Sequence, residues 1–294
     1  IIKGAGSVQA DVGEVENLLN EAIYESVSNL APVKKEYSVK GDEAKEDIDS
    51  IYKNVHSEAA NAVYNPETKE VTPSVTGYDF DVEAAKQKYD AAQMGEEVVI
   101  DLNVTQPFVS GQSAEEVLFK DVLYTIDTPI QEGYPSKIHN ISLACQAVNG
   151  KIVEPGALLS FNDSTGPITY AAGYQEGTAY VGGEVVPSVG GGVCQVSSTL
   201  YCCALYTDME IVERYNHMFT VGYLPMGIDA TIYWDSLDFV FRNNKAFPIK
   251  VEAYVVDDAY VRMTFYGTKT DDTYVEVYSE TISTTPYGRV EKED

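Results

Sequence analysis

Apolar side chains recur at helical spacing in the first third of the chain and then give way to short alternating runs. In DVGEVENLLNEAIYESVSNL (residues 11–30), Val12, Val15, Leu18, Leu19, Ile23 and Val27 fall near the 3.6-residue period, which predicts an amphipathic helix. A strand is expected at residues 36–40, a second helix over 44–60, and short strands at 62–64 and 70–75. A third helix is expected to start at Asp81, whose short carboxylate suits an N-cap, and to run to Gly95, which suits the left-handed position after a helix. A strand at residues 98–104 follows. Residues 11–40 and 81–104 share one order, Asp-Val then helix then strand, so the region reads as a repeat.

After a linker at residues 106–116, strand and turn signals dominate. Strands are expected at residues 158–161, 178–181, 184–187, 219–223, 230–234, 239–242 and 249–256. Helices are expected at residues 136–148 and 194–206. The fold class is therefore α+β. An N-terminal helix/strand repeat region spans residues 1–105. A mixed domain over 117–256 places one central helix on an antiparallel sheet, and a strand-rich extension covers 257–294.

Composition narrows the partners. With 46 acidic against 20 basic residues, the formal net charge is −26. A field of that sign repels phosphate backbones and anionic lipid, which argues against nucleic-acid binding and against direct membrane docking. The chain carries 22 tyrosines against 9 phenylalanines and one tryptophan. That bias suits sugar or peptide contact as well as a polar-rimmed sheet. The chain opens at Ile1 in mid-pattern, so an N-terminal anchor preceding it is expected to supply any membrane attachment.

The chemistry centres on one stretch, Gly190-Gly191-Gly192-Val193-Cys194-Gln195-Val196-Ser197-Ser198-Thr199-Leu200-Tyr201. Glycines permit positive φ and leave space above the backbone. The apolar run behind them sets Cys194 at the start of a buried helix, where free N–H groups and the helix dipole lower a thiol pKa. Of the three histidines, His56 and His139 read as a solvated residue and a packing residue. His217 is expected to open a strand 23 residues beyond Cys194, with Asp229 on the next strand. Cys, His and Asp in that order are the arrangement of cysteine-dependent acyl-transfer enzymes of the papain and transglutaminase type, in which His deprotonates the thiol and the acid orients the imidazole. A tight hairpin centred on Pro225–Met226 would instead set Trp234 or Asp235 opposite His217, so Asp235 and Asp238 are rivals for the third position. Gly191, Gly192, Gln195, Ser197, Asn216 and Tyr174 are the expected substrate contacts.

Other readings of the same residues compete. A glycine-flanked cysteine also serves simply as a small core residue, as Cys202 and Cys203 are expected to do. Asp163, Asp229, Asp235 and Asp238 could gather around a divalent ion, and Cys194, His217 and an Asp could hold zinc. Scattered carboxylates in so acidic a chain suit a solvated face better, and one Cys with one His is a sparse ligand set, so neither a metal nor any other cofactor is expected.

Separated motifs in one order carry a family resemblance. They are Pro155-Gly156, Leu159-Ser160-Phe161-Asn162, Gly166-Pro167, Gly173-Tyr174, the glycine-cysteine run, Glu213-Arg214, Asn216-His217, Pro225-x-Gly227-x-Asp229-Ala230-Thr231 and Asp238-Phe239-x-Phe241-Arg242-Asn243. Together they resemble the VanW-like family, named for an accessory protein of B-type vancomycin resistance, over residues 117–256. The segment AANAVYNPETKEVTPSVTGYDFDVEAA resembles the peptidoglycan-binding domain that precedes such domains and some L,D-transpeptidases of Gram-positive bacteria. Leu200-Tyr201-Cys202-Cys203-Ala204 departs from the pattern, where a Leu-Tyr-Asn-Ala run is expected. The resemblance implies a bacterial envelope protein, on the outer face of the membrane or in the cell wall, whose partner is peptidoglycan or a cell-wall glycopolymer. Two functions then compete: a cysteine-dependent enzyme that hydrolyses or transpeptidates amide bonds of stem peptides, and a non-catalytic wall-binding scaffold. Geometry separates them: a Cys194 sulfur exposed in a groove and within hydrogen-bond reach of His217 supports the enzyme, and one sealed under apolar side chains supports the scaffold.

Overall fold

The computed structural model describes residues 12–29, 47–93, 95–181 and 184–284. They fall into two compact units, divided as Ile1–Val63 with Val71–Ser113, and Tyr64–Glu70 with Ala114–Asp294. The elements of the first part are α1 (Val12–Asn29), α2 (Ile48–Val55), β1 (Val63–Asn65), β2 (Glu70–Thr72), β3 (Gly77–Asp79), α3 (Val82–Ala91) and β4 (Asn103–Thr105). Ile48 and Val55 of α2 and Ala85 and Tyr89 of α3 bury against Phe80 and Val98.

Asp81 caps α3 by accepting from the Ala84 N–H at 2.9 Å. The helix stops at Ala91, short of the expected Gly95, whose φ of +81° places it in the following turn. Helix α2 also stops early, at Val55, because Ser57 and Ala60 leave it to bridge Tyr78 and Val75. The strand expected over residues 98–104 shortens to β4, since Val98 turns into the core. The strand expected at residues 36–40 lies outside the described residues, as does the expected helix start at residue 44.

The second part holds α4 (Ala114–Val117), β5 (Asp121–Pro129), α5 (Pro135–Val148), β6 (Ile152–Val153), β7 (Leu158–Ser160), α6 (Phe161–Thr165), a short 3-10 turn at Tyr170–Ala172, β8 (Glu176–Val181), β9 (Glu184–Val189), α7 (Val193–Tyr206), β10 (Glu210–Glu213), β11 (Val240–Arg242), β12 (Ile249–Val256) and β13 (Tyr260–Gly267). The fold is α+β. A four-stranded antiparallel sheet runs β5-β13-β12-β6, a three-stranded one runs β10-β11-β7, and β8 pairs with β9. The core face of the larger sheet, with Val251, Ala253, Val261, Met263 and Phe265, packs against Ile141, Ala144 and Val148 of α5 and Val196, Leu200 and Cys203 of α7. Strand β13 pairs on both sides, with β12 and β5, so residues 260–267 belong to the same sheet as the residues before 256.

The strands expected at 219–223 and 230–234 do not form. Residues 214–239 run as irregular chain, with isolated bridges Tyr215↔Thr231 and Tyr233↔Leu237. Side chains tie this backbone in place of a ladder: Gln131 donates to the Gly222 carbonyl, Arg214 to that of Gly227, and Ser197 to that of Ala230. Among the described residues, no helix is long and apolar enough to cross a membrane.

Candidate functional site

Three residues distant in sequence converge at the start of α7. Gly192 occupies the N-cap position at φ +105°, a conformation open to glycine and costly for other residues. The first turn of α7 carries no acidic side chain and no side-chain cap, so the helix itself leaves its positive end open to an anion. Cys194 sits in that turn, half-buried, with its sulfur 3.8 Å from Thr231 Oγ1 and 3.7 Å from the Ile232 carbonyl oxygen.

His217 and Asp229 are brought together by register. The Tyr215↔Thr231 bridge is antiparallel, with the Thr231 N–H donating to the Tyr215 carbonyl at 2.8 Å. Two residues further along, the same register sets His217 opposite Asp229. Asp229 Oδ2 lies 2.7 Å from both His217 Nδ1 and the His217 backbone N–H, and its other oxygen accepts from Arg214 at 3.1 Å. His217 is therefore not on a strand, and the hairpin is not centred on Pro225–Met226. That centre would have left Asp229 in the turn.

The charges of the group are coupled. Burial alone would push the Cys194 thiol up, but the nearby His217 imidazole, with smaller help from Ile232 and Thr231, holds it below the ordinary thiol value. Desolvation alone would pull His217 down, but Cys194 and Asp229 together raise it above the usual imidazole value of 6.5. Both shifts favour a thiolate–imidazolium pair. The other cysteines differ: burial pushes Cys145 and Cys202 up to about 12, and Cys203 is raised as well.

The rival acids take structural places. Asp238 accepts from the Ser160 hydroxyl, the Asn162 N–H at 2.9 Å and the Phe239 N–H at 2.7 Å, which secures the junction of β7 and α6. Asp235 sits at φ +68° in the exposed turn closed by Tyr233 and Leu237. Among the described residues, no three of His, Cys, Asp and Glu gather into a group that could hold a metal ion. Asp163 stands in the first turn of α6, where its backbone N–H donates to the hydroxyl of the N-cap residue Ser160.

Most of the expected substrate contacts are buried instead. Tyr174 is 2% exposed and belongs to the core. Gln195 points into β5 and donates to the Thr128 and Pro129 carbonyls at 3.2 and 3.0 Å. Ser197 is fully buried and donates to the Ala230 carbonyl at 2.7 Å. Its neighbour Ser198, which sequence reasoning passed over, accepts from the Ala230 N–H at 3.0 Å. The glycines do not hold open space either. A Cβ on Gly191 would lie 2.6 Å from the Thr178 nitrogen, and one on Gly192 would lie 2.9 Å from Cγ of Lys137. These glycines let β8 and α5 approach the backbone. The Gly191 carbonyl accepts from buried Asn140, which also holds Gln175. Asn216 is exposed and donates to the His217 carbonyl at 2.8 Å.

His139 lies 2.9 Å from the Gly173 carbonyl oxygen, in a packing place. His56, expected to be solvated, stacks on Tyr52 with ring centroids 4.8 Å apart. A groove of about 420 Å³ lies away from this chemistry, on the face of the large sheet opposite the core, lined by Asp127, Tyr254, Arg262 and Tyr266 among others.

Comparison with known proteins finds relatives of this chain. Residues 136–266, which contain Cys194, His217 and Asp229, match the family described as VanW like protein. The chain is 33% identical over 210 residues to the uncharacterized protein YoaR of Bacillus subtilis, covering 70% of this chain and 68% of that one. It is 27% identical over 135 residues to the vancomycin B-type resistance protein VanW of Enterococcus faecalis, covering 44% of this chain and 49% of that protein. No solved structure matches. An identity of 33% sustained over two thirds of YoaR makes this chain a member of the VanW-like family.

Proposed function

We propose that the second unit is a cysteine-dependent acyl-transfer enzyme that acts on amide bonds of peptidoglycan stem peptides. The observation that carries this reading is the meeting of Cys194, in the first turn of α7, with the imidazole of His217, whose Nδ1 lies 2.7 Å from Asp229. A core cysteine needs no imidazole, and Cys145, Cys202 and Cys203 have none among the causes of their shifts. The substrate class is supported by kinship to a vancomycin resistance protein. The first unit contributes wall binding or spacing, and the protein works on the outer face of the bacterial membrane or in the wall.

The chemistry follows from the positions. Asp229 holds Nδ1, which leaves Nε2 to take the thiol proton. The thiolate attacks the carbonyl carbon, and negative charge collects on the carbonyl oxygen. The Cys194 N–H, in the first turn of α7, is placed to donate to it. The imidazolium returns its proton to the departing amine as the C–N bond breaks, leaving a thioester on Cys194. Water or the amine of a second peptide then attacks the thioester, His217 takes the attacking proton, and the thiol is regenerated. Water gives hydrolysis and an amine gives transpeptidation.

The test is incubation of the purified protein with muropeptides, read by mass spectrometry beside Cys194→Ala. Cleaved or cross-linked products, or an acyl adduct on Cys194, are expected and should vanish in the variant. Products unchanged in Cys194→Ala would remove Cys194 from the chemistry, and no product or adduct from either protein would leave the non-catalytic wall-binding scaffold. The location is tested by fractionating cells that make the native full-length protein, which should be absent from the cytosol.

A further inference from the structure

We propose that Arg214 is a positioning residue for this site: its guanidinium clamps Asp229 on the side away from His217 and so fixes the carboxylate against the imidazole. The proposal rests on the acyl-transfer reading of the site.

The two carboxylate oxygens have separate donors. Oδ2 receives both the backbone N–H and Nδ1 of His217, each at 2.7 Å, while Oδ1 receives Arg214 Nη2 at 3.1 Å. A carboxylate held on one oxygen can pivot about its last torsion, and one held on both cannot. Arg214 also fixes the backbone beneath. Its Nε donates to the Asp229 carbonyl at 2.7 Å, and Nη2 to the Gly227 carbonyl at 3.2 Å. The fork shape of guanidinium permits this triple hold, and a lysine ammonium could serve fewer of these acceptors at once. The side chain of Asp229 is 9% exposed and that of Arg214 22%, so the pair is largely shielded from solvent.

Arg214 is itself seated. It follows β10, and its guanidinium carbon lies 5.0 Å from the centre of the Tyr201 ring. Tyr201 belongs to α7, the helix that starts beside Cys194. One side chain thus ties the end of β10, the Asp229 segment and α7. His217 and Tyr223 face the first turn of α7, the Tyr223 hydroxyl lying 3.5 Å from the Cys194 carbonyl oxygen, and Asp229 and Arg214 stand behind His217.

Removing Arg214 frees Asp229 to swing away from His217. An imidazolium that loses its carboxylate partner is less stable, and the thiolate paired with it is disfavoured in turn.

The experiment measures iodoacetamide labelling of Cys194 in the full chain against pH, with sites assigned by mass spectrometry, for the wild type, Arg214→Ala and Arg214→Lys. Continued protection of Cys202 and Cys203 reports an intact core. The wild-type midpoint is expected below that of an ordinary thiol. Arg214→Ala should move it up by about one pH unit and slow labelling near neutrality about tenfold. Arg214→Lys should fall between. Millimolar guanidinium should restore Arg214→Ala toward the wild type and leave the wild type unchanged, which a purely structural role would not produce. If Arg214→Ala fails to fold, Arg214→Lys decides, because an unshifted midpoint there overturns the proposal. A folded Arg214→Ala with the wild-type profile overturns the role of Arg214 while leaving the thiol–imidazole pair standing. A wild-type Cys194 that titrates as an ordinary thiol overturns both.

Discussion

His217 presents two N–H groups to a single oxygen of Asp229: the backbone N–H and Nδ1 both lie 2.7 Å from Oδ2. The contact fixes the ring's position, and an acceptor at Nδ1 holds the proton there, which leaves Nε2 as the nitrogen free to exchange a proton.

Asp229→Asn tests that relationship with almost no change of shape. Asparagine has one acceptor oxygen where Asp229 uses two. With its oxygen toward His217, its NH2 faces the Arg214 guanidinium, and with the amide flipped, its NH2 faces the two N–H groups of His217. Either orientation sets donor against donor. The expected loss is about 10²- to 10⁴-fold in kcat, with KM little changed. Kinetics on whichever muropeptide proves to be the substrate will measure it. Unaltered turnover would place Asp229 outside the mechanism.

The pH dependence follows from the two opposed shifts. Cys194 lies below the ordinary thiol value, so thiolate persists to lower pH than usual. His217 lies above the ordinary imidazole value, so imidazolium persists to higher pH than usual. The two shifts move toward each other, and the productive pair is lost as pH falls through the thiol's pKa and lost again as pH rises through the imidazolium's. A bell-shaped kcat/KM profile is therefore expected, with both limbs belonging to the coupled pair. His217→Ala should move the acid limb of Cys194 labelling upward. Cys145 and Cys202, pushed up to about 12, should stay unlabelled at neutral pH throughout.

The glycines before Cys194 make a separate prediction about folding. A Cβ on Gly191 would sit 2.6 Å from the Thr178 nitrogen and 2.8 Å from its carbonyl oxygen, and backbone cannot step aside as a flexible side chain can. Gly191→Ala should cost about 1–3 kcal/mol by overpacking, read as a lower denaturation midpoint. Gly95, at φ +81° with open space around it, should tolerate alanine better and lose only the cost of its left-handed backbone.

These contrasts mark what the sequence could tell. Helices α5 and α7 were legible because a 3.6-residue apolar period and glycine punctuation are local signals. Cys194 was legible for the same reason. The pairing of His217 with Asp229 depended on a register that no local signal carries. Pro225 and Gly227 look like a hairpin turn, yet the Tyr215↔Thr231 bridge centres the excursion earlier and side chains hold it without a ladder. Residues 260–267 could be sensed as strand-rich, but not that they enter the sheet between β5 and β12, because partners such as Phe265 and Tyr124 are far apart in the chain. Gln195 and Ser197 looked like contact residues because polar side chains usually face water. Here their acceptors are carbonyls of β5 and Ala230, buried and invisible without the tertiary fold.

Ser197 and Ser198 give the last prediction, because they hold the same residue in unequal ways. Both hydroxyls donate to the Ala230 carbonyl, at 2.7 and 3.1 Å. Only Ser198 also accepts from the Ala230 N–H, at 3.0 Å. In Ser197→Ala the carbonyl keeps Ser198 as a donor, so the cost should be about 0.5–1.5 kcal/mol, that of one net hydrogen bond. In Ser198→Ala the buried Ala230 N–H loses its acceptor, and the cost should reach about 1–3 kcal/mol because an unsatisfied donor remains. Ala230 adjoins Asp229, so Ser198→Ala should also loosen the acid behind His217 and lower kcat more than it raises KM. Urea denaturation of both variants beside the wild type measures the first effect and steady-state kinetics the second. Equal destabilisation by the two substitutions would show that Ala230 is not anchored through its N–H, and Asp229 would then depend on Arg214 and His217 alone for its place.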